Sequence, residues 1–391
     1  MKAPCPHFGK CSGCTLQQFP YVKQLFDKTK SMRREFASFV PPGKSVEDIV
    51  AATVASPDAF GYRISSKLCL HEDDNGQIAI GLYRQKSKQV LDIPKCPVHH
   101  PAIDALIRRL FRQKTPRPAP FYNHLKRGFQ KGRLKFLTVR YSPEADTFGI
   151  VLSHTGVERE QLLAWAKRFA KDSLSFYESH LEKDDADLVL SRKVEHLCGP
   201  ELFRYQLDGR NFYLDPLAFF QANGLLAPAF IQHIVKDLVG DTLLDLYGGF
   251  GAYAFAARSA FREVHLVEAN ERAIAAAIET AKAEAWTGLK SFATPVEDFL
   301  QKTLKEKRTE QFQVAIVNPP RAGISLKAST LLCDPRWKGL KKLHYVSCNW
   351  ETLRRDLRLL MQKGGFTLTS LTPFDMFPQT DHVELVAKLE R

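Results

Sequence analysis

Two kinds of cysteine stand out in this chain. Cys5, Cys11 and Cys14 sit together near the start, and Cys96 follows far downstream in Ile93-Pro-Lys-Cys-Pro97. Four thiolates suit an iron–sulfur cluster and suit zinc as well, so the spacing alone leaves both open. Unliganded thiols are the bland alternative, and a poor one for so close a trio. Cys348 is different. It stands alone in Val346-Ser-Cys-Asn349, after an apolar run and before an amphipathic one. At a helix N-terminus the dipole favours a thiolate, which can attack an electrophilic carbon. The competing reading is a small buried hydrophobe. Cys69, Cys198 and Cys333 lack such company and read as packing residues.

Between the two groups, Leu243-Leu-Asp245 is an apolar run ending in a carboxylate. Gly248, Gly249 and Gly251 follow, then an Ala-rich stretch. Such glycines let a backbone approach a ligand closely, at the carboxyl edge of a sheet. The next apolar run ends in Glu268, where an acid can accept hydrogen bonds from both hydroxyls of a ribose. NAD and S-adenosylmethionine share this geometry. Gly-Gly-Phe-Gly departs from the dinucleotide spacing and is closer to the adenosylmethionine form; a tight turn with no ligand is the other reading. Further on, Asn318-Pro-Pro-Arg321 presents Asn318 stiffly, because two prolines fix an extended turn. Asp375-Met-Phe-Pro378 leads into Glu384, either an acid bordering the site or a solvent-facing strand carboxylate.

These residues need elements to hold them. Tyr21, Leu25, Phe26, Met32, Phe36 and Phe39 recur at helical spacing until Pro41-Pro-Gly43 stops them. Short alternating stretches follow at Ser66–Leu70, Ile78–Tyr83, Leu134–Tyr141 and Phe148–Ser153, with helices at Ala102–Phe111 and Glu158–Phe169. That pattern predicts a mostly antiparallel, β-rich central domain. From about residue 205, apolar strands at Thr242–Leu246, Glu263–Glu268, Val314–Val317, Lys342–Ser347 and Thr367–Pro373 alternate with helices such as Arg272–Glu284 and Trp350–Gln362. Alternation of this kind predicts an α/β, doubly wound parallel sheet. The expected division is a cluster segment and the start of the central domain in 1–100, with the helix near 18–40 set on the catalytic part. The central domain runs over 50–204 and the catalytic domain over 205–391.

Composition narrows the partners. The 391 residues suffice for two or three domains, and the net charge of +13 with a pI near 9.3 favours an anionic partner, nucleic acid first. From Ala105 to Arg140 there are eleven Lys or Arg and no Asp or Glu, interleaved with Phe111, Phe121, Tyr122, Phe129 and Phe136. Basic groups there can hold phosphates while some aromatics stack on unpaired bases; at least half of those aromatics are expected to serve the core. No apolar run reaches a membrane-spanning length, and the N-terminal residues do not read as a secretory signal. A cytoplasmic protein is expected, in which the eight cysteines form no disulfide framework and metal binding and catalysis are the uses looked for among them.

The ordered set Phe219-Phe-Gln221-Ala-Asn223, Asp245-Leu-Tyr-Gly-Gly-Phe-Gly251, Asn318-Pro-Pro-Arg321, Ser347-Cys-Asn349 and Asp375-Met-Phe-Pro378…His382-Val-Glu384 resembles the RNA 5-methyluridine methyltransferases. The resemblance covers nearly the whole chain. It implies a Rossmann-like methyltransferase domain, S-adenosylmethionine as methyl donor, and RNA rather than DNA or membrane as partner. Gln221, Tyr247, Glu268 and Asn318 match the positions that bind adenosylmethionine, alongside Asp245. Cys348 matches the nucleophile and Glu384 the general base. Cys5, Cys11, Cys14 and Cys96 match the ligands of a [4Fe–4S] cluster. Many members carry Phe-Cys where this chain has Tyr247-Gly248, and Asp where it has Asn318. The asparagine resembles the subgroup acting on 23S rRNA at uracil 747, which lacks an extra N-terminal OB-like domain, and no such domain is expected here. Another rRNA or tRNA uridine, a non-catalytic RNA-binding or assembly factor, and an iron–sulfur oxidoreductase are the competing readings.

Overall fold

Strand-forming runs dominate the first half of the chain and strand–helix alternation the second, and the structure divides accordingly. The computed structural model describes residues 3–113, 116–183, 189–191 and 193–391. One unit comprises the residues up to Phe19, Asp58–Leu217 and Ala222–Leu225; the other comprises Pro20–Pro57, Ala218–Gln221 and Leu226–Arg391.

In the first unit, β1 (Ser65–Glu72), β2 (Ile78–Tyr83), β3 (Val90–Asp92), β4 (Leu134–Ser142), β5 (Thr147–His154), β6 (Leu174–His180) and β7 (Val194–Cys198) form one sheet in the order β3-β2-β1-β4-β5-β6-β7. All its neighbours pair antiparallel except β5 and β6, which run parallel because helix Arg159–Lys167 crosses over between them. Every residue of β4 and β5 is buried, as expected of central strands covered on both faces. The helix at Pro101–Ile107 continues as a π turn over Arg108–Arg112, one helical stretch in sequence terms but a widened one in structure. A hairpin, β8 (Phe203–Leu207) and β9 (Arg210–Leu214), turns on Asp208 and Gly209, both at positive φ. It is fastened within this unit: the Thr147 hydroxyl donates to the Arg204 carbonyl, and Gln206 N donates to Ser142 Oγ at 2.8 Å. The sequence boundary at 205 therefore cuts through β8, and the divide between the units lies after the hairpin.

In the second unit, β10 (Gly240–Leu246), β11 (Phe261–Glu268), β12 (Leu289–Ala293), β13 (Val314–Val317), β14 (Lys342–Ser347), β15 (Thr367–Phe374) and β16 (Glu384–Glu390) give the order β12-β11-β10-β13-β14-β16-β15. The first five are parallel; β16 runs antiparallel to both β14 and β15. Helix Trp350–Gln362 buries Leu353, Leu357 and Leu360, the i, i+4, i+7 stripe of an amphipathic helix, against Leu343 and Tyr345 of β14. Truncating Leu357 to Ala would cost roughly 2–5 kcal/mol. Helix Tyr21–Phe36 joins the same core through Met32 and Phe36. Among the described residues, no helix is long and apolar enough to cross a membrane.

Candidate active site

The parallel pairing lines up strand ends. Asp245 stands level with Leu266 of β11 and Ile316 of β13, and Val317 stands level with Tyr345 of β14. Glu268 at the end of β11, and Tyr247, Asn318 and Cys348 just past the ends of their strands, therefore border one edge, the carboxyl edge where open α/β sheets take their ligands. The turn after β10 is built to leave room there. Tyr247 has φ 58°, in the left-handed region that side chains avoid, and Gly249 and Gly251 have φ 57° and 87°. A Cβ on Gly248 would run into Leu266 and come within 2.9 Å of the Asp245 carboxylate, so a larger residue here requires those two side chains to shift. Glu268 is held by two backbone donors, Gly249 N at 3.1 Å and Asn270 N at 2.8 Å. Asn318 N donates to the Leu246 carbonyl at 3.1 Å and its side chain is half-buried.

Asp245 is fully buried. Its Oδ2 accepts from Ala254 N at 3.2 Å, while Oδ1 has no hydrogen-bond partner among the described residues. Burial pushes its carboxyl up to about 8, helped by the charge of Glu268 and opposed by the Ala254 hydrogen bond. Gln221 Oε1 is likewise buried without a partner, and the Gln221 side chain hydrogen-bonds Tyr253. Two orphaned buried oxygens beside a glycine turn are what a ligand carrying hydroxyl and ammonium donors would satisfy, so the residues present fit an S-adenosylmethionine site.

The second half of the site comes from sheet register. Ser347 at the end of β14 pairs with Leu385 of β16, so Cys348 and Glu384 emerge side by side. Asn349 caps helix Trp350–Gln362 through its side chain, which accepts from Glu351 N at 3.0 Å; Cys348 lies just before this cap. Glu384 is 5% exposed rather than solvent-facing, and burial pushes its carboxyl up to about 8 against the lowering pull of Arg321. Tyr253, buried, also feels the charges of Glu384 and Asp245.

The thiol corrects one expectation. A helix N-terminus was to favour the thiolate, yet Cys348 is raised: burial acts first, and the Glu384 charge adds to it. Arg321 works the other way, through its charge and a hydrogen bond to the thiol. Its backbone carbonyl accepts from Asn349 Nδ2 at 3.3 Å and Thr352 Oγ1 at 3.2 Å, fixing Arg321 to the nucleophile's own helix. The sequence by itself assigns no role to Arg321 or Tyr253, which the fold sets against Cys348 and Glu384. The signal for Arg321 was present, an arginine closing a rigid Asn-Pro-Pro turn.

Cys5, Cys11, Cys14 and Cys96 lie in the first unit and are half-buried. Burial raises Cys5, Cys11 and Cys14, Cys14 to about 11, and each of the four thiols is near enough to the other three for their charges to repel. For Cys96 the raising effect of burial is outweighed by a hydrogen bond from His99, and the thiol is lowered. Among the described residues, no group of three or more His, Cys, Asp or Glu side chains is arranged to hold a metal ion. The four donors converge without the close geometry of a formed site.

In the basic stretch, Phe111, Phe121, Tyr122 and Phe136 are buried, and Phe129 and Leu125 are exposed. Asn123 and Gln130 close the neck of that loop reciprocally: Asn123 N donates to Gln130 Oε1 at 2.9 Å, and Gln130 Nε2 donates to the Asn123 carbonyl at 2.8 Å. Arg112 pairs with Asp92, Arg117 with Glu72 and Lys126 with Asp74. Lys135 is buried, and Lys114 lies outside the described residues.

Comparisons with known proteins agree with this geometry. A family profile described as tRNA (Uracil-5-)-methyltransferase matches residues 204–391. An uncharacterized RNA methyltransferase of Caldanaerobacter subterraneus subsp. tengcongensis is 30% identical over 411 residues, spanning 100% of this chain and 85% of the relative. A similar protein of Geobacter sulfurreducens is 29% identical over 390 residues, spanning 98% and 76%. Among solved structures, Pyrococcus abyssi tRNA (uracil-54, C5)-methyltransferase in complex with S-adenosyl-L-homocysteine matches with a TM-score of 0.72 and 25% identity, covering 97% of this chain and 86% of that one.

Proposed function

This chain belongs to the RNA 5-methyluridine methyltransferase family and is an S-adenosylmethionine-dependent RNA (uracil-C5)-methyltransferase, and we propose that it methylates one uridine of 23S rRNA, of the uracil-747 type, through a transient bond between Cys348 and C6 of the ring. The observation that supports the chemistry is the β14–β16 register, which sets a thiol beside a buried acid at the carboxyl edge of the sheet.

C5 of uracil is too weak a nucleophile to take a methyl group unaided. The Cys348 thiolate forms an S–C6 bond, and the C5=C6 electrons pass into an enolate that makes C5 nucleophilic. S-adenosylmethionine, when bound, supplies the electrophilic methyl group. Arg321 favours the thiolate that attacks. Glu384 then takes the C5 proton; the C5–H electrons re-form C5=C6 as the C6–S bond breaks, and the thiolate leaves. A base raised toward neutrality by burial suits that proton transfer. Asp245, Gln221, Tyr247, Glu268 and Asn318 are read as the groups that hold the cofactor, Asn318 as a binding amide since it cannot act as a base. The uridine has to leave any stack to reach the thiol.

Cys5, Cys11, Cys14 and Cys96 are read as ligands of a [4Fe–4S] cluster with a structural or RNA-positioning role, since methyl transfer needs no electron. The donor set supports this reading, because four mutually repelling sulfurs are what a bound cationic cluster would stabilise. The basic loop with exposed Phe129 is read as an RNA contact, in a cytoplasmic enzyme.

A tRNA uridine is the second reading of the substrate, favoured by the likeness to the Pyrococcus abyssi tRNA enzyme. Mapping 5-methyluridine in RNA from cells lacking this protein separates the two: loss at one rRNA position supports the proposal, and loss at a tRNA position alone overturns it. RNA containing 5-fluorouridine tests the chemistry. Fluorine blocks proton removal, so the enzyme is trapped on the RNA through Cys348; an assembly factor or an oxidoreductase gives no such adduct.

A further inference from the structure

We propose that helix Tyr21–Phe36 is a positioning element for Glu384, acting through the connection between β15 and β16; this rests on reading Glu384 as the base. The helix meets that connection with polar groups where apolar ones would be expected. Lys28 Nζ lies 2.6 Å from Asp375 Oδ1, with side chains 5% and 0% exposed. Gln24 Nε2 donates to Gln379 Oε1 at 3.0 Å, and Gln379 N donates back to Gln24 Oε1 at 3.1 Å. The Tyr21 hydroxyl hydrogen-bonds Asp375 and accepts from Ser56 N at 2.9 Å. Asp375 N donates to the Val54 carbonyl at 2.9 Å, so both ends of the acid are tied.

A buried ion pair is a poor source of stability, because desolvation consumes most of the attraction; well-packed apolar side chains would do as well or better. What a buried polar network supplies instead is a preferred geometry, here with Asp375 Oδ2 left without a hydrogen-bond partner among the described residues. The geometry set here is that of the segment leading into the base. Gln379 takes φ 70°, a conformation a side chain adopts only when its surroundings require it, and the two bonds from Gln24 hold it there. Phe374, just before Asp375, is the residue paired with Glu384 across β15 and β16. The clamp thus grips the chain between Glu384 and its cross-strand partner. A displacement of the order of 1 Å at a reacting group can cost on the order of a hundredfold in rate.

The proposal separates two steps. Bond formation at C6 and methyl transfer do not need the base; release of the enzyme does. Gln24→Met and Lys28→Met are assayed with 5-fluorouridine RNA and with ordinary RNA. The expected result is trapping on fluorinated RNA at the wild-type rate, turnover on ordinary RNA down about tenfold or more, and a covalent methylated adduct accumulating on a denaturing gel. Equal losses in trapping and turnover mean a merely structural helix and overturn the proposal, as does unchanged turnover. Gln24→Met carries the test alone if Lys28→Met does not fold. Glu384→Gln is run alongside. If it turns over freely, the reading of the base has failed; if it stalls while the clamp variants do not, the clamp alone has failed.

Discussion

In the first unit four thiols face one another; in the second a single thiol faces a carboxylate and a guanidinium. Burial raises Cys5, Cys11, Cys14 and Cys348 alike. The neighbours differ. Within the four-thiol group each thiolate would raise the others, an effect countered at Cys96 by His99, which is itself pushed up to about 9: burial lowers it, and the Asp104 and Cys96 hydrogen bonds more than compensate. Cys348, raised first by burial, also sits between opposing charges, Glu384 raising it further and Arg321 lowering it. The same residue type meets like neighbours in one unit and opposing charges in the other, and that difference is what the proposed ligand and nucleophile roles rest on.

The largest effect should come from Cys348→Ser. Turnover is expected to fall by on the order of 10⁴ and the adduct with 5-fluorouridine RNA to vanish, with iron content unchanged. Residual trapping on a denaturing gel would break the contrast by removing the nucleophile from it. Glu384→Gln should cost about 10² to 10⁴ in turnover while letting the covalent adduct form and persist. It should also change the pH dependence of stability. Glu384 binds its proton more tightly folded, about 8, than unfolded, 4.5, so its contribution is present below pH 4.5 and lost as pH rises through about 8. Urea unfolding at the two ends of that range should show a smaller difference for the glutamine variant.

Cys96→Ser probes the other side of the contrast. Iron and visible absorbance should be lost, and methyl transfer should fall by less than about a hundredfold, the effect of misplaced RNA rather than of missing chemistry. A loss as deep as that of Cys348→Ser would make the four thiols part of the reaction. Arg321→Met should be milder. Removing the lowering influence moves Cys348 further up, so the pH profile of trapping should shift to higher pH, with about tenfold less thiolate at neutral pH for each unit. An unmoved profile removes Arg321 from the nucleophile's control. The smallest effect belongs to Lys126→Ala with Arg127→Ala, which should weaken RNA binding and flatten its salt dependence by up to about 0.7 per lost phosphate contact. Because Lys126 is already paired with Asp74, most of that change is expected from Arg127. Affinity unchanged across salt would place the RNA elsewhere.

Much of the site was legible because its signals are local. An apolar run followed by a Gly or Pro turn marks a strand end, and Asp245, Glu268, Asn318 and Cys348 each stand at or just past one. The hairpin β8–β9 was missed because short, half-buried strands carry little periodicity, and its attachment depends on Ser142 and Thr147 far back in the chain. The direction of the Cys348 shift was misjudged for a related reason: a helix N-terminus is visible in sequence, but the depth of burial and the charge of Glu384 are not.

Residue order alone was enough to specify the two kinds of sheet, the glycine turn and the candidate thiols, since each depends on neighbours a few positions away. Only the folded chain decided that Cys348, Glu384 and Arg321 share one environment and that Gln24 and Lys28 hold the segment before Glu384. Those arrangements depend on strand register and on excluded water, and neither is a property of any short stretch of sequence.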